Sequence, residues 1–115
     1  MVKKIKTVPF PQFLANTPCV VIIESEDVSP DGQQEKYTTA ELMCIFDEKA
    51  HRTTDKDGKD IRAEALVIIE GDIAPALNSV SSGTVEINGG KKTIVKGSRP
   101  RNPDGTVHHT ELELI

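Results

Sequence analysis

The chain has no tryptophan, and its aromatic residues are limited to three phenylalanines and one tyrosine: Phe10, Phe13, Phe46 and Tyr37. A core without many large rings must be assembled from Val, Ile, Leu and Ala, which bury less area per residue. At 115 residues the chain has enough material for one such core and not for two. Its stability then falls in the marginal range of small domains, and contacts with other chains would add to it. An excess of positive charge is also missing, because 14 basic side chains stand against 18 acidic ones, a formal net charge of −4. A surface built to grip nucleic acid is basic and, for single strands, aromatic, so a DNA-binding function is disfavoured. Long apolar runs are absent too. Runs such as Cys19 to Ile23, five residues at most, are far too short to span a bilayer, and Lys3, Lys4 and Lys6 are not followed by the apolar stretch of a signal peptide. These features predict a cytoplasmic chain with no membrane partner. Its two cysteines, Cys19 and Cys44, lie in apolar, strand-like segments and are expected as buried, reduced thiols.

What the chain does have is a period of two. Ala40, Leu42, Cys44 and Phe46 alternate with Thr39, Glu41, Met43, Ile45 and Asp47, and predict a strand beginning at Thr38 with one buried face. Ile61, Ala63, Ala65, Val67 and Ile69 alternate with Arg62, Glu64 and Glu70, which predicts a second long strand over Asp60 to Glu70. Asp57-Gly58 lies in the polar stretch between them, and Gly at a position of positive φ makes a tight hairpin, so the two strands should pair antiparallel. Cys19 to Glu24 reads as a strand covered on both faces. Ser29-Pro30-Asp31-Gly32 then turns the chain back toward Tyr37. Asn88-Gly89 predicts a type I′ hairpin between Thr84–Ile87 and Lys91–Lys96. Asn102-Pro103-Asp104-Gly105 is a turn that delivers Thr106 to Ile115 as a last strand, with Leu112 and Leu114 on one face and Glu111 and Glu113 on the other.

Ile73 to Val80 contains Pro75 and Asn78, which allow one helical turn at most, so it reads as a crossover loop. The predicted fold is all-β, a small antiparallel barrel or sandwich of about six strands with an extended N-terminal arm. Residues 1–115 form a single domain, with the arm over 1–17 and the barrel over 18–115. Thr7-Val8-Pro9-Phe10-Pro11 cannot sit inside a ladder, because proline has no N–H to donate. Phe10, Phe13 and Leu14 give the arm apolar groups to bury.

Candidate chemistry is sparse. Asp55, Asp57 and Asp60 surround Gly58 as in a calcium loop, but the glycine comes too early and no distal bidentate Glu follows. His108 and His109 are consecutive, so on a regular strand their rings point to opposite faces and cannot share one metal. Ser81-Ser82 and Thr110 have no base and orienting partner in a recognisable spacing, and Gly89-Gly90-Lys91-Lys92 lacks the spacing of a phosphate loop. No cofactor, metal or catalytic set is expected, and the chain reads as a non-enzyme.

The segment Asn102-Pro103-Asp104-Gly105-Thr106-Val107-His108-His109-Thr110-Glu111-Leu112-Glu113-Leu114 resembles the end of small phage proteins of the minor capsid or head-tail connector family, similar to the stopper class of long-tailed phages of Gram-positive hosts. A paired histidine there precedes an acidic, Leu-rich final strand, matched by His108, His109, Glu111 and Leu112. Gly71-Asp72-Ile73, the hairpin at Ile87-Asn88-Gly89-Gly90-Lys91, and the opening Val8-Pro9-Phe10-Pro11 with Phe13-Leu14 extend the resemblance. Thr93-Ile94 and Thr110 stand where that family often has aromatics. The resemblance implies a structural virion protein assembled in the host bacterial cytoplasm. Copies would form a ring that contacts portal, adaptor and tail proteins, with DNA passing nearby without sequence-specific binding. The subunit-contact arm would be Pro9, Phe10, Pro11, Phe13 and Leu14. The loop obstructing the channel would be the polar hairpin tip, Ala50, His51, Asp55, Lys56, Asp57, Gly58 and Lys59. A rival reading from the residues alone is a small barrel that acts as an adaptor or binds a ligand or metal through His108, His109 and the Asp55 to Asp60 tip.

Overall fold

The computed structural model describes residues 9–28, 34–55, 57–77 and 79–115. The strands are β1 (Thr17–Val28), β2 (Gln34–Thr38), β3 (Leu42–Asp47), β4 (His51–Thr54), β5 (Asp60–Ala63), β6 (Ala65–Glu70), β7 (Gly83–Ile87), β8 (Gly90–Ser98) and β9 (His109–Leu114). The sheet runs β2-β1-β3-β6-β9-β8-β7, and β7 also pairs with β1. Strands β1, β3, β6, β9, β8 and β7 thus close an antiparallel barrel, and β2 is an extra strand on the flank of β1. Closure satisfies the edge groups of β7, which would otherwise be unpaired.

Alternation explains which residues fill the barrel. Along β9, Thr110, Leu112 and Leu114 point inward with no exposed surface, and His109, Glu111 and Glu113 face out. Ala65, Val67 and Ile69 of β6 do the same beside them, and Val21, Ile23, Cys44, Val85 and Ile94 complete the interior. The one buried polar side chain among the described residues is Thr110, whose hydroxyl donates to the Gly71 carbonyl at 2.8 Å. A buried hydroxyl without that acceptor would carry a desolvation cost.

Three turns read from the sequence form as expected. Asn88 (φ 51°) and Gly89 (φ 76°) both take positive φ between β7 and β8, as a type I′ turn requires. Gly58, with φ 81°, closes the β4–β5 hairpin. At the third, the Gly105 amide donates to the Asn102 carbonyl, and the Thr106 hydroxyl and amide hold the Asp104 carboxyl below its usual range. The turn at 29–32 lies outside the described residues, except that β1 and β2 pair antiparallel with Ile23 opposite Tyr37. Ile73 to Val80 is a crossover loop, with a single Leu77-to-Ala74 backbone bond among its described residues and with Ile73, Ala74 and Val80 buried.

Two predicted strands are corrected. The strand expected from Thr38 to Phe46 is interrupted at Thr39 to Glu41, because Thr39 enters the ladder with its side chain. Its hydroxyl accepts the Val21 amide at 3.0 Å, and its own amide donates to the Val21 carbonyl. The strand expected over Asp60 to Glu70 breaks at Glu64, where β5 leaves the barrel to pair with β4, while β6 stays between β3 and β9. Ala63 and Ala65 flank the bend, both buried, and their small side chains allow the chain to turn against the wall. The antiparallel pairing expected across this hairpin is present, with Cys44 opposite Ile69 and Asp47 opposite Leu66.

Candidate functional site

The β4–β5 ribbon is tied to the barrel through one carboxylate. Glu113 points outward from β9, accepts a hydrogen bond from the Thr53 hydroxyl at 2.6 Å, and lies 3.0 Å from His51 Nε2. Nδ1 of the same ring lies 3.1 Å from the Lys49 carbonyl. The Lys49 carbonyl first, then Glu113 and Asp47, raise the His51 pKa above its ordinary value, with burial opposing. The far end of the ribbon is organised by Asp55, whose carboxylate accepts the amides of Asp57 and Lys59, each at 2.9 Å. These bonds give Asp55 a turn-forming role. Asp55 and Asp57 share a surface depression with Ser82, Gly83, Thr93 and Val95, so the turn hangs over β7 and β8. A second concavity, of about 530 Å³, runs along the ribbon and is lined by Ala50, His51, Arg52, Asp60, Ile61 and Arg62. Of the predicted gate loop, Ala50, Asp57, Gly58 and Lys59 are exposed, and Lys56 lies outside the described residues.

The arm meets the histidine pair. Residues 12–14 tighten into a 3-10 turn, so this part of the arm is not extended, and Gln12 donates to Glu70 of β6 at 2.9 Å. Phe10 stacks obliquely on His108 and His109, with ring centroids 6.0 and 6.5 Å away. Pro11 is half-buried and Pro9 exposed, while Phe13 is 82% and Leu14 47% exposed.

The two histidine rings do not point to opposite faces, and that expectation is overturned. Their Nδ1 atoms are 2.7 Å apart, and the rings meet edge to face at 5.0 Å. The strand's alternation begins only at His109; His108 precedes it, with its amide on the Pro100 carbonyl and its own carbonyl accepting the Gly71 amide. His109 Nε2 reaches Glu111 two residues along the same face, at 2.8 Å. One proton fits between the Nδ1 atoms. His108 Nε2 is buried with no hydrogen-bond partner among the described residues. His108, His109 and Glu111 therefore form one hydrogen-bonded row on the surface, while Leu112 belongs to the core.

No described group of three His, Cys, Asp or Glu side chains is placed to hold a metal ion. Cys19 and Cys44 are free and buried, and the neighbouring Cys19 thiol and then burial push the Cys44 thiol up. Sequence reasoning missed Thr53, Gln12, Glu70 and the role of Glu113. His51 and Glu113 are 62 positions apart, and no local spacing signals that they meet. The chain has no significant match among protein-family models, curated proteins or solved structures.

Proposed function

We propose that this chain is a structural virion protein, a head-tail connector subunit of the stopper kind. Its copies form a ring that joins the capsid portal to the tail and helps retain packaged DNA. The observation that carries the reading is the arm: Phe13 and Leu14 stand exposed on a turn that Gln12 fastens to β6. Apolar side chains held out in water are stabilised when another chain covers them, as a neighbouring subunit in a ring would. The phage-like wording of residues 102–114 supplies the context, and the acidic balance suits a channel along which DNA slides without adhering. The β4–β5 ribbon is the candidate gate, since it is a polar two-stranded sheet separate from the barrel sheet.

Removing the gene from the phage genome that carries it is expected to leave heads without tails, or heads that lose their DNA, visible by electron microscopy. A wild-type copy in trans restores tailed particles, and a copy lacking residues 1–14 does not. Normal tailed particles from the deletion would overturn the connector reading; rescue by the truncated copy would overturn the role of the arm alone.

A further inference from the structure

The outward face of β9 holds the ribbon by a contact that depends on a proton. His51 Nδ1 faces the Lys49 carbonyl and His51 Nε2 faces a Glu113 carboxylate oxygen, at 3.1 and 3.0 Å. A carbonyl and a carboxylate have no hydrogen to give, so both ring nitrogens must donate, and only an imidazolium does that. The other Glu113 oxygen is occupied by the Thr53 hydroxyl, so one carboxylate grips β4 at two points on the same side of the strand.

We propose that the β4–β5 ribbon is a proton-dependent flap, clamped to the barrel wall through His51, Thr53 and Glu113 while His51 is charged and released from the wall when His51 becomes neutral. Loss of the His51 proton leaves the ring a single N–H, which serves either the Lys49 carbonyl or Glu113; the other contact becomes lone pair against lone pair, and the charge that strengthened the grip on Glu113 is gone. The charged groups around the ring favour the clamped form. Asp47 at the end of β3 adds attraction, and Glu113 contacts the ring directly. Lys96 of β8 lies opposite Glu113 in the ladder and competes for it; Arg52 and Arg62 face one another in the ribbon next to His51 and favour release. Leu66, opposite Glu113 on β6, and Ala63, opposite His51, carry no charge.

The sign follows from the raised pKa of His51 in the folded chain. The clamp is at full strength below the unfolded value of about 6.5 and is lost as pH rises through the higher folded value. Release uncovers Glu113 and the wall of β8 near Thr93 and Val95, which the ribbon's turn overhangs. The device belongs to the single chain and stands whether or not the chain is a connector.

Amide hydrogen exchange on the isolated full chain, corrected for intrinsic rates, tests it. Protection of residues 51–54 and 60–63 is expected to fall on the order of tenfold between pH 6 and pH 9 while that of β6 and β9 holds, the size expected for losing hydrogen bonds to a charged group. In His51→Gln, protection of the ribbon is low at both pH values, with no step. Nitrogen chemical shifts of the wild-type His51 ring give an independent readout, with both nitrogens protonated at pH 6 and a midpoint above the ordinary histidine value. Unchanged ribbon protection across the pH range, a His51→Gln chain that keeps the same step, or a ring neutral at pH 6 would each overturn the proposal.

Discussion

Gly83→Ala is expected to destabilise the barrel by at least about 3 kcal/mol and to lower Tm on the order of 15 °C, from left-hand backbone strain plus overpacking. Gly83 opens β7 with φ 139°, and a methyl group added there would sit 2.0 Å from the Ile22 carbonyl oxygen and 3.0 Å from the Ile22 carbonyl carbon and Ile23 Cα. All three are backbone atoms of β1, so no side-chain rotation relieves the clash. The position is opposite Ile23 on one side and Ile94 on the other, where β7 closes the barrel between β1 and β8. A methyl group there pushes apart the seam on which closure depends. Gly58→Ala separates strain from packing, because Gly58 also has positive φ but nothing within 4 Å of its added methyl. That variant should lose only about 1 kcal/mol. Thermal or urea unfolding of the two variants side by side checks the difference, and equal losses would show that contact with β1 is not what Gly83 avoids.

Leu112→Ala should cost about 2 to 5 kcal/mol, the range for emptying a large apolar side chain from a packed interior. Leu112 has no exposed surface and stands in the ladder between Val67 of β6 and Gly97 of β8. Gly97 presents no side chain to fill the gap, and its own approach to the Val80 carbonyl, where a methyl would lie at 2.4 Å, leaves its backbone no room to move inward on that side. The cavity therefore stays open. Lys96→Ala, on the exposed face of the neighbouring strand, should stay within about 0.5 kcal/mol in the same urea titrations.

The barrel was legible because its strands alternate cleanly and its turns use residues that tolerate few other conformations. Leu112 and Leu114 against Glu111 and Glu113, and Asn88-Gly89 with both residues at positive φ, carry their structure locally. The breaks at Thr39 and Glu64 were not legible, since alternation runs through both; what interrupts the strand is a hydroxyl inserted into the β1 ladder in one case and a change of pairing partner in the other. The candidate sites were legible as residues and not as arrangements. His51 and the acidic face of β9 are both visible in the sequence, but their meeting depends on how the ribbon folds back. The histidine pair departs from period-two alternation because β9 begins only at His109 and His108 lies outside it.

The most direct test of the connector reading is a cryo-electron microscopy map of the head-tail junction in tailed particles made with this chain. The account predicts a ring of these barrels beneath the portal, with Phe13 and Leu14 of each copy covered by the adjacent subunit. A junction that lacks the chain, or a ring in which Phe13 and Leu14 face open solvent in every copy, would contradict it.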